Sequence, residues 1–355
     1  MKSAKEILRK HCQEQFDASG LVYKWCPRKG PVAIALRSFM NLSPKAYRKM
    51  LVNGTQVVET AMCAKDWTNI NYEHVPSVAA KIYQKAFNRH DENGYGAYKE
   101  KLTSGEAKIN ASAIFPHDVI RGSDSVVADA QWKALPNYLV GDTAILPMID
   151  VSGSMLCGVG GNKSGLTCMD VSVSLGLYIA DKQTGPFGGL YLTFTDKPTL
   201  TKVPSKSGRI HDRFAKIKNT NVGYNTNIQA AYEEILRVAK TNNVAPKDMP
   251  KMLIIFSDMQ FDQAMTQGQV NGYNPTAQQM ARDMFIQCGY ELPKIVYWNL
   301  NAHDNVPVAF DEEGTALVSG FSPAILTALL SGKEFTPYGI MMEAISSPRY
   351  AGVVV

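Results

Sequence analysis

No stretch of this 355-residue chain approaches the roughly 20 consecutive apolar residues of a membrane-spanning helix, so no membrane partner is expected. Its start, MKSAKEILRKHCQEQF, is charged and amphipathic and lacks the apolar core of a secretory signal. Cysteine is sparse: six stand at 12, 26, 63, 157, 168 and 288, with no C-x-x-C. That spacing argues against a zinc ribbon and a disulfide scaffold, and it predicts reduced thiols in an intracellular, cytoplasmic protein. There is no internal repeat and no low-complexity segment. Net charge is only +5, too little to make the whole chain a nucleic-acid binder. Apolar residues are plentiful, 45% against 19% charged, which excludes disorder over most of the length.

The charge is unevenly placed. Residues 1–142 carry 20 Lys/Arg against 14 Asp/Glu, whereas 143–355 carry 17 against 18. The first 50 residues alone carry 11 against 3. An anionic partner held by charge is therefore expected at the N-terminal part. There Lys24, Arg28, Lys29, Arg48 and Lys49 stand among Tyr23, Trp25 and Tyr47, a mixture able to pair with and stack on RNA. The plainer reading of the same residues is a solvated helical surface, or a contact with an acidic patch on a protein. Trp67, Tyr72, Tyr83 and Phe87 read as packing rather than as a base-stacking platform.

Periodicity divides the chain near residue 142. Residues 4–16, 31–40, 44–52 and 75–87 carry helical patterns, with Ser43-Pro44 a good helix start. Residues 91–96, DENGYG, read as a loop by composition. The fold expected for 1–142 is an α-helical N-terminal region. From about 143 short apolar runs alternate with helical patterns. Strands are expected at about 143–149, 189–195, 198–203, 251–257, 294–300 and 315–319. Helices are expected at about 169–182, 208–218, 227–240 and 276–288, with two more in 322–346. This alternation predicts an α/β domain over 143–355, a doubly wound, mostly parallel, Rossmann-like sheet.

The chemistry concentrates where the first strand ends. Asp150-Val-Ser152-Gly-Ser154 puts a carboxylate and two hydroxyls on alternate residues of one loop, and open α/β sheets bind ligands beyond the carboxyl ends of their strands. A hard cation such as Mg²⁺ takes oxygen ligands and keeps some of its waters. Thr226, just before a helical pattern, offers a third hydroxyl, and Asp258 ends the fourth strand as Asp150 ends the first.

Those five positions resemble the metal-ion-dependent adhesion site of von Willebrand factor A domains. The resemblance implies that Ser152, Ser154 and Thr226 contact the ion, while Asp150 and Asp258 hold it mainly through waters. It also implies that the first and fourth strands are neighbours. The N-terminal part, through Lys24-Trp25-Cys26-Pro27-Arg28, Leu42 to Lys49, Met62 to Trp67, Ile70 to Ser77 and Phe115-Pro116-His117, resembles an uncharacterised family. That family joins a helical N-terminal region to a von Willebrand A domain in eukaryotes, large DNA viruses and phages, in a layout distantly similar to the Ro RNA-binding proteins.

Neutral hydroxyl ligands leave most of the ion's charge uncancelled, so an open position attracts a carboxylate from a partner. Hydrolysis would need a positioned base beside a metal-bound water, and no His or Glu lies near 150–158, 223–227 or 258 in sequence. The expectation is a binding module and not an enzyme. It holds Mg²⁺, with Mn²⁺ or Ca²⁺ as alternatives, and takes a protein partner presenting Asp or Glu. RNA binding through the basic helices is a second expectation. A structural or virion-associated subunit, suggested by the occurrence in viruses and phages, is a third. Gly158-Val-Gly-Gly-Asn-Lys163-Ser164 fails as a phosphate loop because Asn162 stands where glycine is needed. Cys157 and Cys168 bracket that stretch and could pair under oxidation, but two free thiols are the expected state.

Overall fold

A computed structural model describes residues 20–55, 57–139, 144–159, 165–193, 195, 197–220, 228–258, 275–301 and 315–320, with 325, 342, 345 and 346. The expected helices at 4–16 and 322–346 lie outside these residues, apart from those isolated positions. The chain divides into two compact units, Met1–Ala113 and Ile114–Val355.

The first unit is helical: α1 (Gly20–Trp25), α2 (Gly30–Phe39), α3 (Pro44–Gly54), α4 (Val58–Cys63), α5 (Ser77–Ile82), α6 (Gln84–His90) and α7 (Glu92–Ser104). The start of α3 follows the local chemistry, with the Ser43 hydroxyl accepting from Ala46 N and proline in the first turn. Its Tyr47 and Leu51, one turn apart, bury against Ala33 of α2. The expected 75–87 helix is two helices, α5 and α6, which meet at Tyr83.

Residues 91–96 are not a loop but the start of α7. Asp91 Oδ1 accepts from Gly94 N, and Asp91 Oδ2 accepts from the Tyr72 hydroxyl at 2.8 Å. A Cβ at Gly94 would run into the Asp91 carboxylate, so the glycine that weakens the helix also admits its cap. Tyr95 and Tyr98 are buried in a ring cluster with Tyr72 and Phe87. Capping and aromatic burial override the composition.

The second unit opens with α8 (Pro116–Ile120) and α9 (Ser125–Ala134). Six strands follow: β1 (Ile145–Ile149), β2 (Leu190–Thr193), β3 (Leu200–Lys202), β4 (Met252–Ser257), β5 (Lys294–Asn299) and β6 (Thr315–Ser319). They form one sheet in the order β3-β2-β1-β4-β5-β6, parallel throughout except for the β2–β3 pair. Helices α10 (Cys168–Lys182), α11 (Ile210–Lys218), α12 (Ile228–Thr241) and α13 (Pro275–Gln287) connect them. This is the doubly wound, mostly parallel sheet that the alternation predicts, and β1 and β4 are neighbours.

Both faces of the sheet are covered, which explains why β1 and β4 read as unbroken apolar runs. Leu146 and Met148 of β1, Leu253 and Ile255 of β4 and Ile295 and Tyr297 of β5 pack with Tyr232, Ile235 and Leu236 of α12 and Phe285 of α13. Side chains alternate along a strand, so Ile149 points the other way, toward α10. There Gly176 leaves room for it: a Cβ at 176 would meet the Ile149 side chain. Helix α10 starts with a capping box, the Thr167 hydroxyl accepting from Asp170 N and Asp170 accepting from Thr167 N. Three helices are tied by one buried cluster. Arg213 of α11 makes a two-pronged bond to Asp181 of α10 at 2.8 and 2.6 Å, and Trp132 of α9 donates to the same carboxylate at 2.9 Å.

Candidate metal centre

The sheet order reverses between β1 and β4, and the carboxyl ends of those strands carry the polar residues. Ile149 pairs with Phe256, which sets Asp150 opposite Ser257 one residue further on. Asp150 is 1% exposed and Asp258 0%. Both oxygens of Asp150 are engaged: Oδ1 accepts from Ser152 N at 2.9 Å, and Oδ2 accepts from the Ser257 hydroxyl at 2.7 Å. Burial pushes its carboxyl up to about 6, against the two serine bonds, and the nearby Asp258 carboxylate pushes the same way.

The loop above is shaped by its serines. Ser152 precedes a short turn of 3₁₀-helix, Gly153–Leu156, but its hydroxyl does not cap that turn. It lies instead 3.1 Å from the Ser154 hydroxyl. Both serines are half-buried, above the fully buried Asp150. The structure thus brings together Asp150, Ser152 and Ser154, and Asp258 is close enough to act on Asp150. Thr226 lies outside the described residues.

Ser257 is the residue that sequence reasoning misses. Its signal is register: it stands directly opposite Asp150, which only the strand pairing reveals. Ser172 of α10 adds a buried tie, its hydroxyl donating to Phe256 O at 3.2 Å. Among the described residues, no three of His, Cys, Asp or Glu gather as metal ligands. Among the described residues the donors at this rim are hydroxyls backed by carboxylates, hard oxygens of a kind that fits Mg²⁺ or Ca²⁺.

Two thiols lie beside this loop. Cys157 Sγ is 3.4 Å from Cys168 Sγ, and the Cys168 thiol donates to Leu300 O at 3.4 Å. Burial, then the Cys157 thiol, pushes the Cys168 thiol well above its ordinary range, with Asp258 and Asp150 adding to it.

In the first unit, Lys24 is paired with Glu59 at 2.7 Å. Arg28, Lys29, Arg48 and Lys49 are exposed. Tyr47 is buried and donates its hydroxyl to Pro27 O, so it is not a stacking surface, whereas Trp25 is 77% exposed. Tyr72 and Phe87 are buried, in keeping with packing. A separate cleft of about 380 Å³ in the second unit is lined by Asp129, Trp132, Asp181, Lys182, Lys206 and Arg213 among others. None of the rim residues lines it, and its Arg213 and Asp181 are spent on each other. Among the described residues no helix is long and apolar enough to cross a membrane.

Residues 144–345 match the family described as domain of unknown function DUF7788, and residues 35–140 match domain of unknown function DUF2828. The chain is 29% identical over 364 residues to uncharacterized protein L728 of Acanthamoeba polyphaga mimivirus, covering 92% of this chain. It spans 60% of the length of that relative. Among solved structures it is similar to the RO (RSR) protein of Deinococcus radiodurans, with a TM-score of 0.45 and 17% identity over 91% of this chain and 76% of that one.

Proposed function

The chain belongs to the DUF7788 family of domains of unknown function, and from that premise we propose that the rim of its sheet is a divalent-cation site through which it binds a protein partner. Ser152, Ser154 and Thr226 supply hydroxyl ligands. Asp150 and Asp258 stand behind them and act through water, and an Asp or Glu of the partner completes the shell. The observation that carries this reading is the pair of serine hydroxyls 3.1 Å apart above a buried aspartate whose own oxygens are already engaged. An aspartate so engaged is a holder of the loop rather than a direct ligand. Two neutral hydroxyls leave a bound dication's charge largely uncancelled, and that residual charge is what recruits a carboxylate. Mg²⁺ suits the set, since it keeps several waters and needs few protein ligands. This is a binding role, not an enzymatic one.

Calorimetric titration of Mg²⁺ into the EDTA-treated protein tests it. Saturable binding by the wild type, weakened at least tenfold by Ser152→Ala or Ser154→Ala with folding intact, is expected. Equal binding by wild type and variants, or none by either, overturns the reading. An affinity capture with and without EDTA then identifies the partner.

A second reading, RNA binding by the first unit, is favoured by one observation: Arg28, Lys29, Arg48, Lys49 and Trp25 are all exposed. Affinity for single-stranded RNA should fall steeply with salt, and alanine at Arg48 and Lys49 should flatten that slope. RNA affinity that ignores salt removes this reading.

A further inference from the structure

We propose that Cys157 and Cys168 form a reversible dithiol–disulfide pair, a redox modification site that ties the serine loop to the start of α10. Backbone geometry sets the two residues face to face. Cys168 N donates to Cys157 O at 3.0 Å, Val159 N donates to Leu166 O at 2.8 Å, and Gly158 pairs with Thr167 as an antiparallel bridge. Cys157 and Cys168 are therefore the next directly opposed pair on the same short ladder. Directly opposed residues on antiparallel strands have Cα atoms roughly 4.5–5.5 Å apart, which lies inside the reach of a disulfide. The sulfurs are in contact at 3.4 Å, so the bond needs side-chain closure and little backbone movement.

The two thiols differ in access, and that sets the order of events. Cys157 is half-buried and Cys168 is buried. The oxidant is a low-molecular-weight disulfide of the glutathione class. The Cys157 thiolate attacks one of its sulfurs, breaks its S–S bond and expels one small thiolate. The Cys168 thiol then passes its proton to the small thiolate just expelled and attacks the Cys157 sulfur, expelling the second small thiolate, which takes its proton from water. Two electrons pass from the protein's thiols to the external disulfide, which leaves as two thiols, and glutathione in excess reverses each step. Cys157 N is bonded to Ser154 O at 3.1 Å, so the closed bond would link the turn that carries Ser154 to the helix that carries Ser172.

The test equilibrates the folded full chain across a series of reduced-to-oxidised glutathione ratios, traps free thiols with an alkylating agent and maps peptides by mass spectrometry. The wild type is expected to lose the mass of two hydrogens and to yield a Cys157–Cys168 cross-linked peptide, reversed by dithiothreitol. Cys168→Ser should trap glutathione on Cys157, whereas Cys157→Ser should leave Cys168 unmodified. Circular dichroism checks that each variant folds, and Cys157→Ala and Cys168→Ala replace any serine variant that does not. No cross-link at any ratio, or one that joins other cysteines instead, overturns the proposal. The readout is sulfur chemistry alone, so it stands or falls independently of cation binding.

Discussion

Ser257 Oγ donates a 2.7 Å hydrogen bond to Asp150 Oδ2 from the strand beside it, and that bond helps to hold a carboxylate that is 1% exposed. Burial raises the Asp150 carboxyl from 3.8 to about 6 in the folded chain. The folded state therefore keeps this proton over a pH range in which the unfolded chain has lost it. Stability of the cation-free protein should fall as pH rises from about 4 to about 6, by roughly 3 kcal/mol, and level off above. Asp150→Asn keeps the shape and removes the charge, so that part of the slope should vanish. Denaturant unfolding in EDTA at a series of pH values checks it; an identical slope in the variant would show that other groups carry the dependence.

A second prediction concerns how closely α10 lies on β1. Alanine is the better helix former by about 1 kcal/mol, so propensity alone would favour Gly176→Ala. The added methyl group would meet Ile149, which is 1% exposed and has nowhere to move. Overpacking of this kind costs about 1–3 kcal/mol, and we expect a net loss of about 1 kcal/mol or more. Ile149→Val removes Cδ1, one of the two Ile149 atoms that Gly176 accommodates, and should recover part of that loss in the double variant. A gain of stability on Gly176→Ala would mean that the helix stands further from the strand than described.

The third prediction tests the cluster that ties α9, α10 and α11. The Arg213 and Asp181 side chains are 4% and 8% exposed, and Trp132 donates to the same carboxylate. Removing one partner of a buried pair leaves the other charge stranded, so Asp181→Ala should cost roughly 3–5 kcal/mol. Replacing both charges, as Asp181→Leu with Arg213→Met, should cost less than Asp181→Ala alone. Urea midpoints of the three proteins decide this.

The sheet is legible in the sequence because its strands are covered on both faces and read as apolar runs separated by helical patterns. The ends of β1 and β4 are legible because Asp150 and Asp258 each close such a run. Register is not legible, and so Ser257, whose part depends on standing opposite Asp150, goes unseen. The start of α7 is hidden for another reason: glycines at 94 and 96 dominate the composition, while the cap from Asp91 and the burial of Tyr95 and Tyr98 act only in three dimensions. Composition changes near residue 142, whereas the compact units divide after Ala113. Helices α8 and α9 have the helical character of the first part, yet α9 bonds to the second unit: Trp132 donates to Asp181, and Asp129 accepts from Ile210 N at 2.7 Å.

Asp91 gives the last prediction, in the first unit. Its carboxylate accepts from Gly94 N at the start of α7 and from the Tyr72 hydroxyl, so one side chain both caps a helix and satisfies a buried phenol. Burial, with Asp91 adding to it, pushes the Tyr72 phenol far above its ordinary range. Asp91→Ala should remove the cap, at about 1 kcal/mol, and leave the Tyr72 hydroxyl without its acceptor, for a further cost of about 1–2 kcal/mol. Tyr72→Phe should cost less, because it removes the donor and leaves the cap in place. In the double variant the stranded hydroxyl is gone, so the combined loss should fall short of the sum of the two. Strict additivity in denaturant unfolding would mean that Tyr72 and Asp91 act independently, and the hydrogen bond between them would then contribute nothing to the stability of this unit.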